Sequence, residues 1–221
     1  MSPTKKVLFA VVATLLVIAA SVLAGLFLTR PGLGDITPGD TIDFGGHEWL
    51  VLDINGGNAL IISEAIIEHR AYNYSFTSTT WEESSLRRWL NDDFYHRFAA
   101  DERRRISETH IANDNPWFDA GSTNATTDKI FLLSIDEIVR YFGDSGELGS
   151  KPDGRWWFSD PYDYARMAYD VNGNVSWWWS RSSGNHDNLA AFVFTNGGIY
   201  MLGTAVSDTS GGVRPALWLS P

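Results

Sequence analysis

The first 30 residues are patterned unlike the rest of the chain. Residues 7–28 contain no charged side chain, no Asn or Gln and no Pro. Wound as a helix, those 22 residues would reach roughly 33 Å, close to the hydrocarbon thickness of a bilayer. A helix buried in a soluble protein is rarely apolar on every face for that length. Lys5 and Lys6 precede the run and Arg30 follows it, an asymmetry that predicts a cytoplasmic N-terminus at residues 1–6 and an exported C-terminus. A cleaved signal peptide is the rival reading, since Val22-Leu23-Ala24 offers small residues after a basic start. The apolar run continues past that point as Gly25-Leu26-Phe27-Leu28, which favours a retained anchor.

Beyond the anchor, Pro31-Gly32-Leu33-Gly34 falls in a linker over residues 29–38, and the domain proper is expected over 39–221. Two β-prone runs, Glu48 to Asp53 and Asn58 to Ser63, flank Asn55-Gly56-Gly57 and predict a hairpin. The middle changes to helical spacing. Thr80-Trp81-Glu82-Glu83 has capping-box spacing, and Leu86, Trp89 and Leu90 follow at helical intervals. Short helices are expected around 92–98 and 101–106, a loop over 113–128 and a buried strand over 129–133. Ser134-Ile135-Asp136-Glu137 then opens a helix that runs to Phe142 and stops at Gly143. A further short helix is expected around 162–169. The last fifty residues return to strand, with a second hairpin around Thr195-Asn196-Gly197-Gly198. Strands, then helices, then strands predict a mixed α+β domain.

Composition narrows the function classes. Without Lys5, Lys6 and Arg30 the chain holds 14 basic against 27 acidic residues, a net charge of −13. Such a domain repels a phosphate backbone, so nucleic acid is excluded as a partner, and it does not lie flat on anionic lipid. The chain has no Cys, which removes a lipid-modified anchor, disulfides and thiol chemistry together. The core must therefore hold the domain alone. Ten Trp, eight Tyr and twelve Phe supply it, and each buried indole N–H needs a partner.

Three ordered segments carry a resemblance. Trp177-Trp178-Trp179-Ser180-Arg181-Ser182, then Ala190-Ala191-Phe192-Val193, then Gly212-Val213-Arg214-Pro215-Ala216-Leu217 resemble a bacterial domain family of unknown function. In that family W-W-x-R-S and G-V-R-P-A-L bracket a variable stretch. Phe44-Gly45-Gly46, the run from Leu86 to Asn91 and the run from Thr126 to Ser134 look like the same family. The family looks related to the formylglycine-generating-enzyme group of C-type-lectin-like folds. The resemblance implies a C-type-lectin-like irregular β-core with flanking helices and long loops. The oxidase chemistry of that group's enzyme branch uses cysteines, which are absent here.

No catalytic motif stands out. His47, His69, His96, His110 and His186 have neither helical zinc spacing nor a triad context, and Ser182-Ser183-Gly184 lacks a nucleophile-elbow pattern. Asn113, Asp114, Asn115, Asp119 and Asp128 gather oxygen donors on one loop and form a candidate calcium site. The same residue types are also ordinary loop formers. Trp177 and Trp179 should share one face of a strand, with Arg181, Asn185, Asp187 and Asn188 on the adjoining loop. They form the candidate ligand site, and at least one of the three consecutive indoles should be core. Arg214 is expected to bind buried carbonyls or a carboxylate. The expected function is a membrane-anchored extracytoplasmic binding module for a glycan or a protein. An envelope enzyme of other chemistry and an accessory subunit of an envelope complex are the alternatives.

Overall fold

A computed structural model describes residues 33–118, 125–150 and 154–221. The anchor expected at 7–28 lies outside the described residues, as does Asp119. Among the described residues no helix is long and apolar enough to cross a membrane. The chain divides into two compact units, Met1–Ile36 and Thr37–Pro221. Of the first, only a 3-10 turn at Leu33–Asp35 is described.

The second unit is mixed α+β, dominated by strands. In chain order these are β1 (Thr41–Phe44), β2 (His47–Asn55), β3 (Asn58–Ser63), β4 (Glu68–His69), β5 (Ile106–Ser107), β6 (Thr109–Ile111) and β7 (Thr126–Asp128). They continue as β8 (Trp157–Phe158), β9 (Ala168–Tyr169), β10 (Val175–Ser176), β11 (Trp178–Ser183), β12 (Leu189–Val193), β13 (Ile199–Ala205), β14 (Gly212–Val213) and β15 (Ala216–Leu219). The helices are short: α1 (Ser85–Trp89), α2 (Ala100–Arg103), α3 (Ile135–Phe142) and α4 (Asp163–Arg166).

One sheet has five strands in the order β1-β2-β3-β15-β5, and a second has six in the order β4-β14-β11-β12-β13-β8. The β2–β3 hairpin forms where expected, its turn made by Gly56 and Gly57 at φ +57° and +83°. A side chain at either φ would be strained, which is why two glycines follow Asn55. Strand β15 lies between β3 and β5, with Leu217 opposite Ile61 and Leu219 opposite Ile106. It thus ties residues far apart in sequence into one sheet.

The period of two decides what each sheet buries. In β13, Ile199, Met201 and Gly203 are buried while Tyr200 and Leu202 are only partly covered. The indoles are the largest core pieces, and their N–H groups find carbonyls or carboxylates as burial demands. Trp49 donates to the Phe44 carbonyl at 2.8 Å, Trp178 to Arg166 at 3.0 Å, Trp179 to Arg70 at 2.8 Å and Trp81 to Asp128 Oδ2 at 2.9 Å. At roughly 25 cal/mol per Å² over the ~200 Å² of an indole, fully burying Trp178 is worth about 5 kcal/mol of transfer free energy.

Two local expectations shift. The helix in the middle starts at Ser85, capped by the Ser84 hydroxyl accepting from the Arg87 N–H, four residues beyond Thr80. Thr80 Oγ1 instead accepts from Glu83 N–H in a preceding turn, and Trp81 drops into the core. Of the segment 129–133, residues 130–133 are buried as expected and Lys129 is not, and the segment forms a single bridge, Phe131 with Ala216, rather than a strand. Helix α3 matches its expectation in full: Ser134 caps it, Glu137 closes the capping box and Gly143 ends it.

Candidate functional site

The sheet β4-β14-β11-β12-β13-β8 turns one face to the core, and near β8 its other face is aromatic. Cross-strand register places Trp157 opposite Tyr200, and Tyr200 opposite Phe192. Directly paired residues share a face, and Phe194 is two positions beyond Phe192, so all four rings point the same way. Phe158, Ile199 and Val193 alternate with them and are buried. The rings of Phe192 and Tyr200 lie 5.3 Å apart, and those of Phe192 and Phe194 6.2 Å. Trp177 extends the row, its ring 4.9 Å from Phe192. Trp157 is 55% exposed and Phe194 50%, far above what packing alone requires. Together with Ser159, Asn196 and Gly198, the rings of Trp157, Phe192, Phe194 and Tyr200 line a groove of about 360 Å³, with Trp177 beside it.

A turn and a buried ion cluster hold the groove's wall. Gly197 sits at φ +88° against α4, where an added Cβ would meet the Asp163 carbonyl oxygen at 1.7 Å. Only glycine allows the turn to close this tightly. Asn196 Oδ1 accepts from the Gly198 N–H at 3.1 Å and braces the same turn. Beneath it, fully buried Arg166 donates to Asp160 Oδ1 at 2.8 Å, to Asp163 Oδ1 at 3.1 Å and to the Gly143 carbonyl at 2.7 Å. Burial works against the charge on Asp160, but the Arg166 and Tyr162 N–H bonds prevail and hold its carboxyl below the usual range.

A second cavity, about 350 Å³, opens beside the N-terminal turn of α3 and mixes charged with apolar side chains. Asp114, Asp136, Glu137 and Arg181 line it, along with Tyr141, His110 and Trp218. Arg181 is almost fully buried and saturated. It donates to the carbonyls of Ala112 (2.6 and 2.8 Å) and Leu132 (2.8 Å), to Asn113 Oδ1 (3.2 Å) and to Glu137. Glu137 also accepts the Ser134 N–H at 2.9 Å. Asp136 keeps an exposed edge, and what burial it has pushes its carboxyl up, followed by the negative charges of Asp114 and Glu137, with Arg181 opposing. A carboxyl that keeps its proton to higher pH beside a second carboxylate is the pairing that acid–base chemistry uses.

These two places do not coincide with the residues picked from sequence. Trp177 and Trp179 do adjoin, with rings 4.7 Å apart, but Trp179 is fully buried behind Tyr72. Asn185, Asp187 and Asn188 lie beyond the other end of β11, roughly 20 Å from Trp177 at about 3.3 Å per strand residue. Their backbones join other loops, Asp187 accepting from Thr79 N–H and Asn188 from Val206 N–H. A strand cannot bring its two ends together, so Trp177 belongs with the groove and the loop 183–188 does not. Of the calcium candidates, Asn113 accepts from Arg181, and Asn115 donates to the Ser183 carbonyl at 2.7 Å. Asp128 is buried and accepts from Trp81, Arg87 and Thr126, while Asp114 faces the second cavity. Among the described residues no three His, Asp or Glu side chains group as metal ligands.

Sequence comparison places the chain. A family model described as a domain of unknown function, DUF6273, matches residues 56–221. The chain belongs to the DUF6273 family. No curated protein and no solved structure matches it. Both cavities of this DUF6273 domain lie within the matched span, as do all the residues lining them. The aromatic groove was open to sequence reasoning. Within Phe192-Val193-Phe194 the aromatic residues alternate with a core residue, and Tyr200 falls on the same parity across the hairpin.

Proposed function

We propose that this DUF6273 chain is an extracytoplasmic binding module, held at a membrane by residues 7–28 and seating a glycan or protein ligand in the aromatic groove. One observation carries the reading. Four aromatic side chains share a single sheet face, and two of them stay about half exposed although six of the ten indoles are buried. Exposed apolar patches of this kind mark binding surfaces. The C-type-lectin-like arrangement is part of the proposal. The sequence resemblance supports it, as does a strand-rich core with short helices whose final strand joins distant parts of the chain. The test is a glycan array and a pull-down with the full chain, each repeated with Trp157→Ala. A ligand retained at full strength by that variant would place recognition elsewhere.

The second cavity favours one other reading, an envelope enzyme working by acid–base chemistry through Asp136 and Asp114. Its test is hydrolysis of envelope polysaccharide by the full chain beside Asp136→Asn and Asp114→Asn. Turnover that both variants abolish supports it, and turnover untouched by either removes it. The third reading, an accessory subunit of an envelope complex, predicts crosslinks in cells through the exposed side chains of Trp156 and Trp157.

A further inference from the structure

The groove's lining narrows the ligand class, an inference that rests on the reading of the groove as the binding site. We propose that it takes a neutral oligosaccharide, stacked on Trp157, Tyr200 and Phe194 over the buried ring of Phe192. Three observations lead there.

The first is charge. Among the described residues no charged side chain lines the groove, whose polar groups are Ser159, Asn196, Tyr200 and the backbone of Gly198. Asp163, just behind, is occupied by Ser159 Oγ and Arg166. The chain as a whole carries −10. A polyanion would find no cation here and a repulsive field around it. A cationic ligand would find no carboxylate in the lining.

The second is shape. The rings of Trp157, Tyr200 and Phe192 sit on three adjacent strands, so they step across the sheet at roughly 4.8 Å per strand. Phe192 is buried and forms the floor, while Trp157, Phe194 and part of Tyr200 stay open above it, which gives an open strip rather than a socket. A cleft of about 360 Å³ falls in the range for small ligands, roughly 300–1,000 Å³, and is small for a folded partner, which would need ~800 Å² of its surface buried. A strip of this length suits a chain of sugar rings better than a single one.

The third is complementarity of polarity. A pyranose has a face of polarised C–H groups and a rim of neutral hydroxyls. The electron-rich ring faces suit the C–H face. Asn196 uses its Oδ1 on Gly198, which leaves its amide NH₂ to donate, and Ser159 donates to Asp163, which leaves its lone pairs to accept. Donor and acceptor thus stand at the edge of an apolar floor, where a sugar's hydroxyl rim would fall.

The experiment uses the full chain in a detergent without a sugar headgroup. It is titrated with cellotetraose, chitotetraose and their dimers, and with a decaproline peptide as a neutral, non-sugar groove ligand, reading tryptophan fluorescence and saturation-transfer NMR. Saturable binding of a tetrasaccharide is expected, tighter than its dimer and little changed between 50 and 500 mM salt, since no ion pair contributes. Trp157→Ala and Tyr200→Ala should each weaken it about fivefold or more, as loss of a ring contact does. Trp156→Ala, next to the groove but outside its lining, should leave it unchanged. Trp157→Phe keeps a ring and serves if the alanine variant fails to fold. Binding of neither tetrasaccharide, or binding indifferent to Trp157 and Tyr200, overturns the inference. If decaproline binds in a Trp157-dependent way and the saccharides do not, the sugar inference fails while the groove stands. If nothing the chain binds responds to Trp157, the groove reading itself fails.

Discussion

Replacing Arg181 separates a residue that holds the fold from one that holds a ligand. Its side chain is 2% exposed, and its guanidinium serves the carbonyls of Ala112 and Leu132, Asn113 Oδ1 and the Glu137 carboxylate. Arg181→Met keeps much of the side chain's length and removes every donor. Breaking a buried pair by removing one partner costs about 3–5 kcal/mol, because the remaining groups stay desolvated and unsatisfied. Glu137 is partly exposed and keeps its Ser134 bond, so it can rehydrate, which puts the expected loss near 3 kcal/mol. For a domain of this size that lowers the melting temperature by about 6–12 °C. Near-UV circular dichroism of the full chain, melted with and without the substitution, measures it. Arg181→Lys should recover only part of the loss, since one ammonium cannot reach acceptors spread around a planar fork. A melting temperature within about 1 °C of the parent would refute this account and return Arg181 to the list of free ligand-binding groups.

Three further outcomes follow from the geometry. Asp160 has a folded pKa below its ordinary 3.8, so the stability it contributes is present above that value and is lost as pH falls through the folded one. Asp160→Asn should cost about 3 kcal/mol at pH 7 and give a flatter stability profile than the parent below about pH 4, read by urea titration; equal slopes would count against it. Asp136 is raised, so its charge opposes folding at neutral pH, and Asp136→Asn should stabilise the domain at pH 7 but not at pH 3, below the ordinary carboxyl value of 3.8. A variant less stable than the parent at pH 7 would contradict that sign. Gly197→Ala meets both a positive φ and the Asp163 carbonyl, and should cost at least about 2 kcal/mol while distorting the turn that carries Asn196. A melt unchanged to within 1 °C would refute it.

What the sequence made legible was local. Ser134 and Glu137 define the start of α3 by side chains three residues apart, and Gly56-Gly57 defines a turn by its own backbone, so both were readable without knowing the fold. At least one of the three consecutive indoles was expected in the core, and both Trp178 and Trp179 are there, although strand parity alone leaves Trp179 with Trp177 on the open face. The failures came where distance along a strand mattered more than nearness in sequence. Trp177 and Asn185 are eight residues apart on paper, yet they sit beyond opposite ends of β11. Asn113 and Asp128 look like free loop ligands until Arg181 and Trp81, far off in sequence, use their oxygens. The second cavity was missed for the same reason, since it joins the 109–114 segment to α3 and to Trp218. Arg214 was expected to bind buried carbonyls or a carboxylate, and it donates to the Ser63 carbonyl at 2.8 Å. Between the Phe142 and Trp178 rings, burial pulls its pKa down to about 10, so it still carries its charge at neutral pH.

The position of β15 sets a timetable for biogenesis. This strand is the last of the fifteen described strands yet takes an inner place in its sheet, pairing with β3 on one side and β5 on the other. Until residues 216–219 have emerged, β3 presents an open edge carrying Leu60, Ile61 and Ile62, the kind of edge on which other chains nucleate. Nearly all of the domain must therefore wait outside the translation machinery, incompletely closed, for four residues. Such long-range closure makes folding slow, and it makes the half-made chain a natural client for holding chaperones. A ribosome-stalled chain ending before β15 should be protease-sensitive throughout the sheet, and one extended past it should become resistant in a single step.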